Sequence, residues 1–198
     1  FDIHGGGRDL AFPHHENEIA QSKALGHDCP ANYWVHTGML LAEDGSKMSK
    51  SAGNYVTIED AMSRYGARAL RWFFVSGHYR SPIKYGDSVM TASNAGLERI
   101  DNFIFNLKNN ANGEYNARLT QILTEFKQKF EAEMNDDFNT PNAIAALFDF
   151  IKEANTIISA HDYNEQNKSE VIEFLTQIDK IFCLLYTSPS PRDGLLSR

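Results

Sequence analysis

Four apolar stripes in the second half of the chain recur at three- and four-residue intervals. Val89, Leu97, Ile100, Ile104 and Leu107 form the first, and Leu119, Ile122, Leu123, Phe126 and Phe130 the second. Ile144, Leu147, Phe148, Ile151 and Ile158 form the third, and Val171, Phe174, Leu175, Ile178 and Phe182 the fourth. At about 100° per residue this spacing gathers each set on one side of a helix, and that side must be buried against something. Four such helices in succession predict an α-helical bundle. The stripes therefore read as core, not as a cofactor site. Thr140-Pro141 reads as the N-cap and first position of the third helix, where the missing proline N–H costs nothing.

The first part of the chain has a different pattern. "FDIHGGGRDLAF" reads as a strand over residues 1–4 that runs into a glycine turn, and Pro13 then opens a helix lasting to about Leu25, with Gly26 as its stop. "YWVHTGMLLA", residues 33–42, is rich in β-formers and reads as one or two strands. "EDGS" is a turn, followed by a Lys/Ser-rich loop. Thr57 with Asp60 then marks a capping-box-like helix start, and Gly66 a break.

Composition narrows the classes of function. A chain of 198 residues with 42% hydrophobic and 12% aromatic content builds a globular core. No apolar run approaches the roughly 20 residues needed to cross a bilayer, so no membrane partner is expected. Cys29 and Cys183 lie far apart, which argues against a disulfide scaffold and for a reducing, cytoplasmic setting. Residues 1–85 carry nine Lys/Arg against nine Asp/Glu, whereas residues 86–198 carry ten against seventeen and hold the entire net charge of -7. So acidic a second half cannot grip a phosphate backbone by charge alone, and any RNA contacts here must be few and local. The sequence starts inside a strand pattern, without Met, and reads as a piece of a longer chain. "YTSPSPRDGLLSR", residues 186–198, cannot extend the preceding helix and reads as a disordered or foreign tail.

Three clusters carry chemistry. His14 and Glu18, one helical turn apart in "FPHHENE", present an imidazole and a carboxylate to the same side, and both are ordinary zinc ligands. A charge-decorated helix start explains the same pair without a metal. His15 points elsewhere and reads as a packing or hydrogen-bonding residue. In "HGGGRDL", Gly5, Gly6 and Gly7 let a backbone pass close to a bulky ligand, and Asp9 can accept from hydroxyls or an ammonium. The triplet also fits an ordinary tight loop. In "GSKMSKSAGN", Lys47 and Lys50 stand among hydroxyls in a glycine-bounded loop, suited to charge building on a leaving pyrophosphate.

Together these strings carry a resemblance. "KMSKS" at 47–51 resembles the phosphate-loop signature of class I aminoacyl-tRNA synthetases. "FDIHGGGRDLAFPHHENEIAQS" with "NYWVHTGML" resembles the cysteinyl-tRNA synthetases, and "MNDDFNTPNAIAALFDFIKEAN" continues the likeness more loosely. The resemblance implies an α/β fold, the C-terminal part of a Rossmann-like catalytic domain over residues 1–66, followed by a helical tRNA-contacting bundle over residues 67–185. It implies ATP-dependent activation of cysteine, with Mg2+, and transfer to tRNA(Cys). It also implies a Zn2+ ion held in part by His14 and Glu18, which recognises the substrate thiolate and so rejects serine. His4 and Asp9 match positions that line the adenylate pocket. Lys50 matches the ATP-contacting lysine with Lys47 assisting, and Gly5, Gly6 and Gly7 match the nucleotide-facing turn.

Other readings remain open at this point. A related ligase could pass activated cysteine to a small amine, as mycothiol-type enzymes do. A non-catalytic helical interaction module is a different class of answer. A metal hydrolase fits poorly, since "HHENE" lacks the second histidine of H-E-x-x-H. The family's upstream nucleotide motif and both zinc cysteines are missing here, and neither Cys29 nor Cys183 stands at a ligand position. The purified chain is therefore expected to show no cysteine-dependent exchange of pyrophosphate into ATP; measurable exchange would contradict this.

Overall fold

The computed structural model describes residues 1–49, 51 and 53–185; the readings for Lys50 and for the tail lie outside these residues. Strand β1 (Ile3–Gly7) is followed by tight turns over residues 8–15 and helix α1 (Glu16–Ala24), then by β2 (Tyr33–Thr37) and β3 (Leu40–Ala42). Two short helices, α2 (Ile58–Tyr65) and α3 (Ala67–Ser76), precede β4 (Ile83–Tyr85). The bundle helices are α4 (Asp87–Asn109), α5 (Ala117–Asn135), α6 (Thr140–Ser159) and α7 (Glu165–Phe182).

Both strand pairs are parallel. β1 lies beside β2 with His4 opposite Trp34 and Gly6 opposite His36, and β3 lies beside β4 with Leu41 opposite Lys84. A parallel pair needs a crossover connection, which α1 supplies for the first and α2–α3 for the second. This is the α/β pattern expected, and the strands of "YWVHTGMLLA" are two. Gly66, at φ 82, separates α2 from α3, and the Thr57 hydroxyl caps α2 by accepting from the Asp60 amide at 3.0 Å. Gly26, at φ 86, follows the end of α1 in the left-handed conformation that glycine adopts without a Cβ penalty.

The bundle buries the predicted stripes with local corrections. Val89 is 37% exposed while Met90 is fully buried, because Met90 lies one heptad, about two turns, before Leu97 and shares its side. Phe103, absent from the predicted stripe, is also core. Phe126 stacks on Phe150 with centroids 5.0 Å apart, and Phe103 meets Phe150 edge-on at 5.8 Å. The two buried polar side chains in the bundle's lower half are paired. Tyr163 donates to the Leu107 carbonyl at 3.0 Å, and Asn167 bonds both the amide and the carbonyl of Asn116 at 2.9 and 3.1 Å. Two helix starts shift. Asn139, not Thr140, caps α6, accepting from the Asn142 amide at 3.3 Å, which frees the Thr140 hydroxyl to reach the Gly77 carbonyl at 3.4 Å. α1 begins at Glu16, not Pro13, because Phe12 is extended (φ -137, ψ 133) and residues 13–15 form a wide turn.

One connection ties the α/β part to the bundle. The loop after α3 places the Tyr79 carbonyl to accept from the Gly38 amide at 2.7 Å, at the end of β2. A Cβ on Gly38 would collide with the Ser81 backbone, so only glycine permits this approach. On its other side the loop meets the α5–α6 corner. There the Asp137 carboxylate accepts from the Tyr79 hydroxyl at 2.6 Å, from Arg80 Nη2 at 2.8 Å, and from Arg80 Nε. The Arg80 bonds, then the Tyr79 bond, hold the Asp137 carboxyl down from 3.8 to about 2. A folded-state pKa below the unfolded one adds stability that is present above the unfolded value and lost as pH falls through the folded value. The difference in unfolding midpoint between wild type and Asp137→Asn should therefore be constant above about pH 5 and should vanish as pH falls from about 4 to about 2. A difference unchanged across that window would show that the carboxylate charge does not hold this joint.

Candidate functional site

The site is assembled at the glycine turn. β1 carries His4 into Gly5–Gly7, the chain turns through Asp9 and Pro13, and α1 then returns Glu18 over the strand. The Glu18 carboxylate takes one imidazole on each oxygen: His4 Nε2 at 2.9 Å and His14 Nε2 at 3.1 Å. His14 and Glu18 thus share a side, as their spacing predicted, and Glu18 reaches His4 on the strand that leads into the glycines.

His15 is at the centre of this cluster instead of pointing away from it. Only 4% of it is exposed, and its Nδ1 lies 2.8 Å from His36 Nε2 on β2. Its ring stands edge-on to His4 at 4.8 Å and lies 5.1 Å from Trp34. Gly6 makes room for it: a Cβ there would come within 2.8 Å of His15 Cε1 and 3.0 Å of Nε2. Burial, then the neighbouring His4, lowers the His15 pKa, with His36 and His14 adding to the effect and Glu18 opposing it. His15 is therefore neutral at neutral pH, which suits a bond in which one of two imidazoles donates and the other accepts. His15, His36 and Trp34 were not singled out as site residues from sequence. The alternation of "YWVHT" on a strand held the signal for Trp34 and His36, but nothing in the sequence announced that β2 would pair with β1.

Asp9 is exposed in the turn, with its carboxylate against Gly7. A Cβ on Gly5 would meet only the Val35 carbonyl at 3.7 Å, so packing among the described residues does not require glycine at that position. Lys47 lies on a different sheet. The loop that carries it folds back as an antiparallel bridge between Leu41 and Lys47. Asn54 latches this loop, accepting from the Ser49 amide at 2.9 Å and donating to the Ser46 hydroxyl at 3.0 Å. No hydrogen bond or ion pair joins Lys47 to the histidine cluster among the described residues.

The donor set fits a zinc ion. Two ligands on a tetrahedral ion with bonds of about 2.0–2.1 Å stand about 3.3 Å apart. The His14–Glu18 separation of 3.1 Å needs only a slight opening to match. Ligand atoms of His4, His15 and Glu18 also lie within 4.8 Å of one another, so Glu18 belongs to both possible sets. Cys29 and Cys183 are both exposed and outside this group. Calorimetric titration of the chain with zinc should show weak binding, reduced at least about tenfold by Glu18→Gln. His14→Ala should act similarly if that imidazole is a ligand; loss only with His4→Ala would assign the other set.

Comparison with known proteins gives a consistent result. The sequence matches the family of tRNA synthetases class I (C) catalytic domain over residues 1–95 and the DALR domain over residues 129–186. It is 41% identical over 184 residues to a cysteine–tRNA ligase of Carboxydothermus hydrogenoformans, covering 92% of this chain and 39% of that one. It is 45% identical over 197 residues to that of Shewanella oneidensis, covering 96% and 39%. The chain thus spans about two-fifths of the length of the curated relatives it matches. Among solved structures, it superposes on Mycobacterium tuberculosis methionyl-tRNA synthetase in complex with methionyl-adenylate with a TM-score of 0.63 at 18% identity, over 85% of this chain and 37% of that one. The agnB2 LeuRS of Agrobacterium radiobacter K84, in ternary complex with tRNA and LeuAMS, gives 0.63 at 23% identity, over 79% and 23%.

Proposed function

The chain belongs to the cysteine–tRNA ligase family of class I synthetases, and from that premise we propose that it supplies the cysteine-recognition and phosphate-loop half of an enzyme that charges tRNA(Cys). The observation that carries this reading is Glu18, its two oxygens shared by His14 and His4 directly over the strand that becomes the glycine turn. Metal, substrate thiol and nucleotide would all be served from that one place.

Each residue has a part that follows from its position. His14 and Glu18 would hold zinc, with the remaining protein ligands supplied from outside this chain; the ion contributes a soft acceptor that a thiolate satisfies and a hydroxyl does not. His4 orients the Glu18 carboxylate by its bond to Oε2. His15, neutral and bonded to His36, walls one side of the cluster with Trp34. The open side of Gly5 allows a nucleotide to pass close to the backbone, and exposed Asp9 faces the same turn as an acceptor for ribose or ammonium groups. Lys47, with Lys50, would meet the charge that builds on pyrophosphate as the cysteine carboxylate attacks the α-phosphate of ATP. The cysteinyl group then passes to a hydroxyl of the terminal tRNA adenosine. We place the division between catalytic part and bundle at Gly66, since α3 already contributes Trp72 and Phe73 to the bundle's core.

In the longer enzyme carrying this segment, Glu18→Gln should lower the kcat/KM for cysteine activation by at least about tenfold, with the much poorer activation of serine changed little. Equal losses for the two amino acids would refute coordination as the basis of selection. Unchanged cysteine activation would remove Glu18 from the site.

A further inference from the structure

The joint between the α3–β4 loop and the α5–α6 corner displays a feature that packing does not require. Asp137 and Phe138 are consecutive non-glycine residues with φ of 54° and 52°. A bulky side chain rarely adopts this left-handed conformation. Yet Phe138 is 62% exposed, so burial does not compensate for the strain. Its ring stands edge-on to Tyr79, centroids 6.4 Å apart at 69°. Tyr79 stacks on His78 at 5.1 Å and 20°, and the Arg80 guanidinium lies 5.1 Å from the centre of the Tyr79 ring. Asp137 fixes this arrangement by binding both Tyr79 and Arg80.

We propose that Phe138, edge-on to a Tyr79 ring that Arg80 covers, is a stacking platform for an unpaired base near the 3′ end of the RNA substrate. The inference rests on the tRNA reading above and names a contact within it. Two observations, with what aminoacylation itself requires, select an RNA base as the occupant. The platform adjoins the carboxyl end of β2 through the Gly38–Tyr79 bond, and parallel strands receive ligands at that end. Aminoacylation requires a single-stranded terminus to arrive there. Charge offers little here, because Arg80 is paired with Asp137 and residues 86–198 carry ten Lys/Arg against seventeen Asp/Glu. Stacking is the form of RNA affinity that does not need charge, since every base offers a π-face to an aromatic ring.

The test uses the purified chain and two labelled RNAs: a tRNA(Cys) transcript and the same transcript trimmed of its unpaired 3′ nucleotides. Anisotropy titrations at one salt concentration should show about tenfold tighter binding of the intact RNA. Phe138→Ala should erase that preference, Phe138→Leu should do the same while keeping the bulk, and Phe138→Trp should retain it. Phe138→Gly should melt at or above the wild-type temperature, because glycine relieves the left-handed strain. Were wild type and Phe138→Leu to show the same preference for the intact end, the platform would be overturned while the tRNA reading stood. Were wild type to bind tRNA(Cys) no better than an unstructured RNA of equal length, the tRNA reading would fail and the platform with it.

Discussion

Helix α1 has no buried side chain. An amphipathic helix is normally held by an apolar stripe, and this one has none to offer. What attaches it to the β1–β2 pair is polar: Glu18 bound to His4 on the strand, and the buried ring of His15 immediately before the helix, bonded to His36. The imidazole–carboxylate cluster is thus both the candidate site and the local tertiary contact. Substitutions that disturb the chemistry there will also loosen the helix. For this reason a carboxylate-to-amide change, which preserves shape and one acceptor, is more informative at Glu18 than truncation.

The same logic explains the glycine triplet, whose members are not equivalent. Gly6 yields its side-chain volume to the His15 ring, and Gly7 yields to the Asp9 carboxylate. Gly5 yields to nothing described. Gly6 is therefore accounted for by packing within the turn, whereas at Gly7 the close group is the end of an exposed side chain that can move. Only Gly5 leaves space that a ligand would occupy, which gives the proposed nucleotide contact a more specific location than the triplet as a whole.

Much of this architecture was legible because its signals are local. The helix stripes, the Thr57 cap, the breaks at Gly26 and Gly66, and the His14–Glu18 pairing each depend on spacing within one or two turns. What the sequence concealed depends on elements far apart. His15 reads as a residue facing away until β1 and β2 are paired, when His36 comes to 2.8 Å. Met90 is core in place of Val89 because it lies seven residues before Leu97 on the same side of α4, a difference of one residue that the apolar pattern of both left open. The Asp137 clasp joins residues 57 and 58 positions apart, and no periodicity links them.

That clasp has a mechanical consequence. The loop over residues 77–82 touches the α/β part through Gly38, and β4 begins with the Ile83 amide bonded to the Met39 carbonyl at 3.0 Å, while the loop touches the bundle through Asp137 and Thr140. β3, which begins at Leu40, leads directly to the turn that carries Lys47, and the Leu41–Lys47 bridge returns the loop onto that strand. The α5–α6 corner is thus connected to the lysine loop by a short run of covalent and hydrogen bonds. An acidic bundle that grips RNA weakly by charge gains little from contacts spread over its surface. A contact at this corner would be worth more, because it would position the RNA end at the joint beside the loop proposed to meet the phosphates. The strain held at Asp137 and Phe138 would then be the cost of presenting an aromatic face at a joint where the α/β part and the bundle meet through polar bonds.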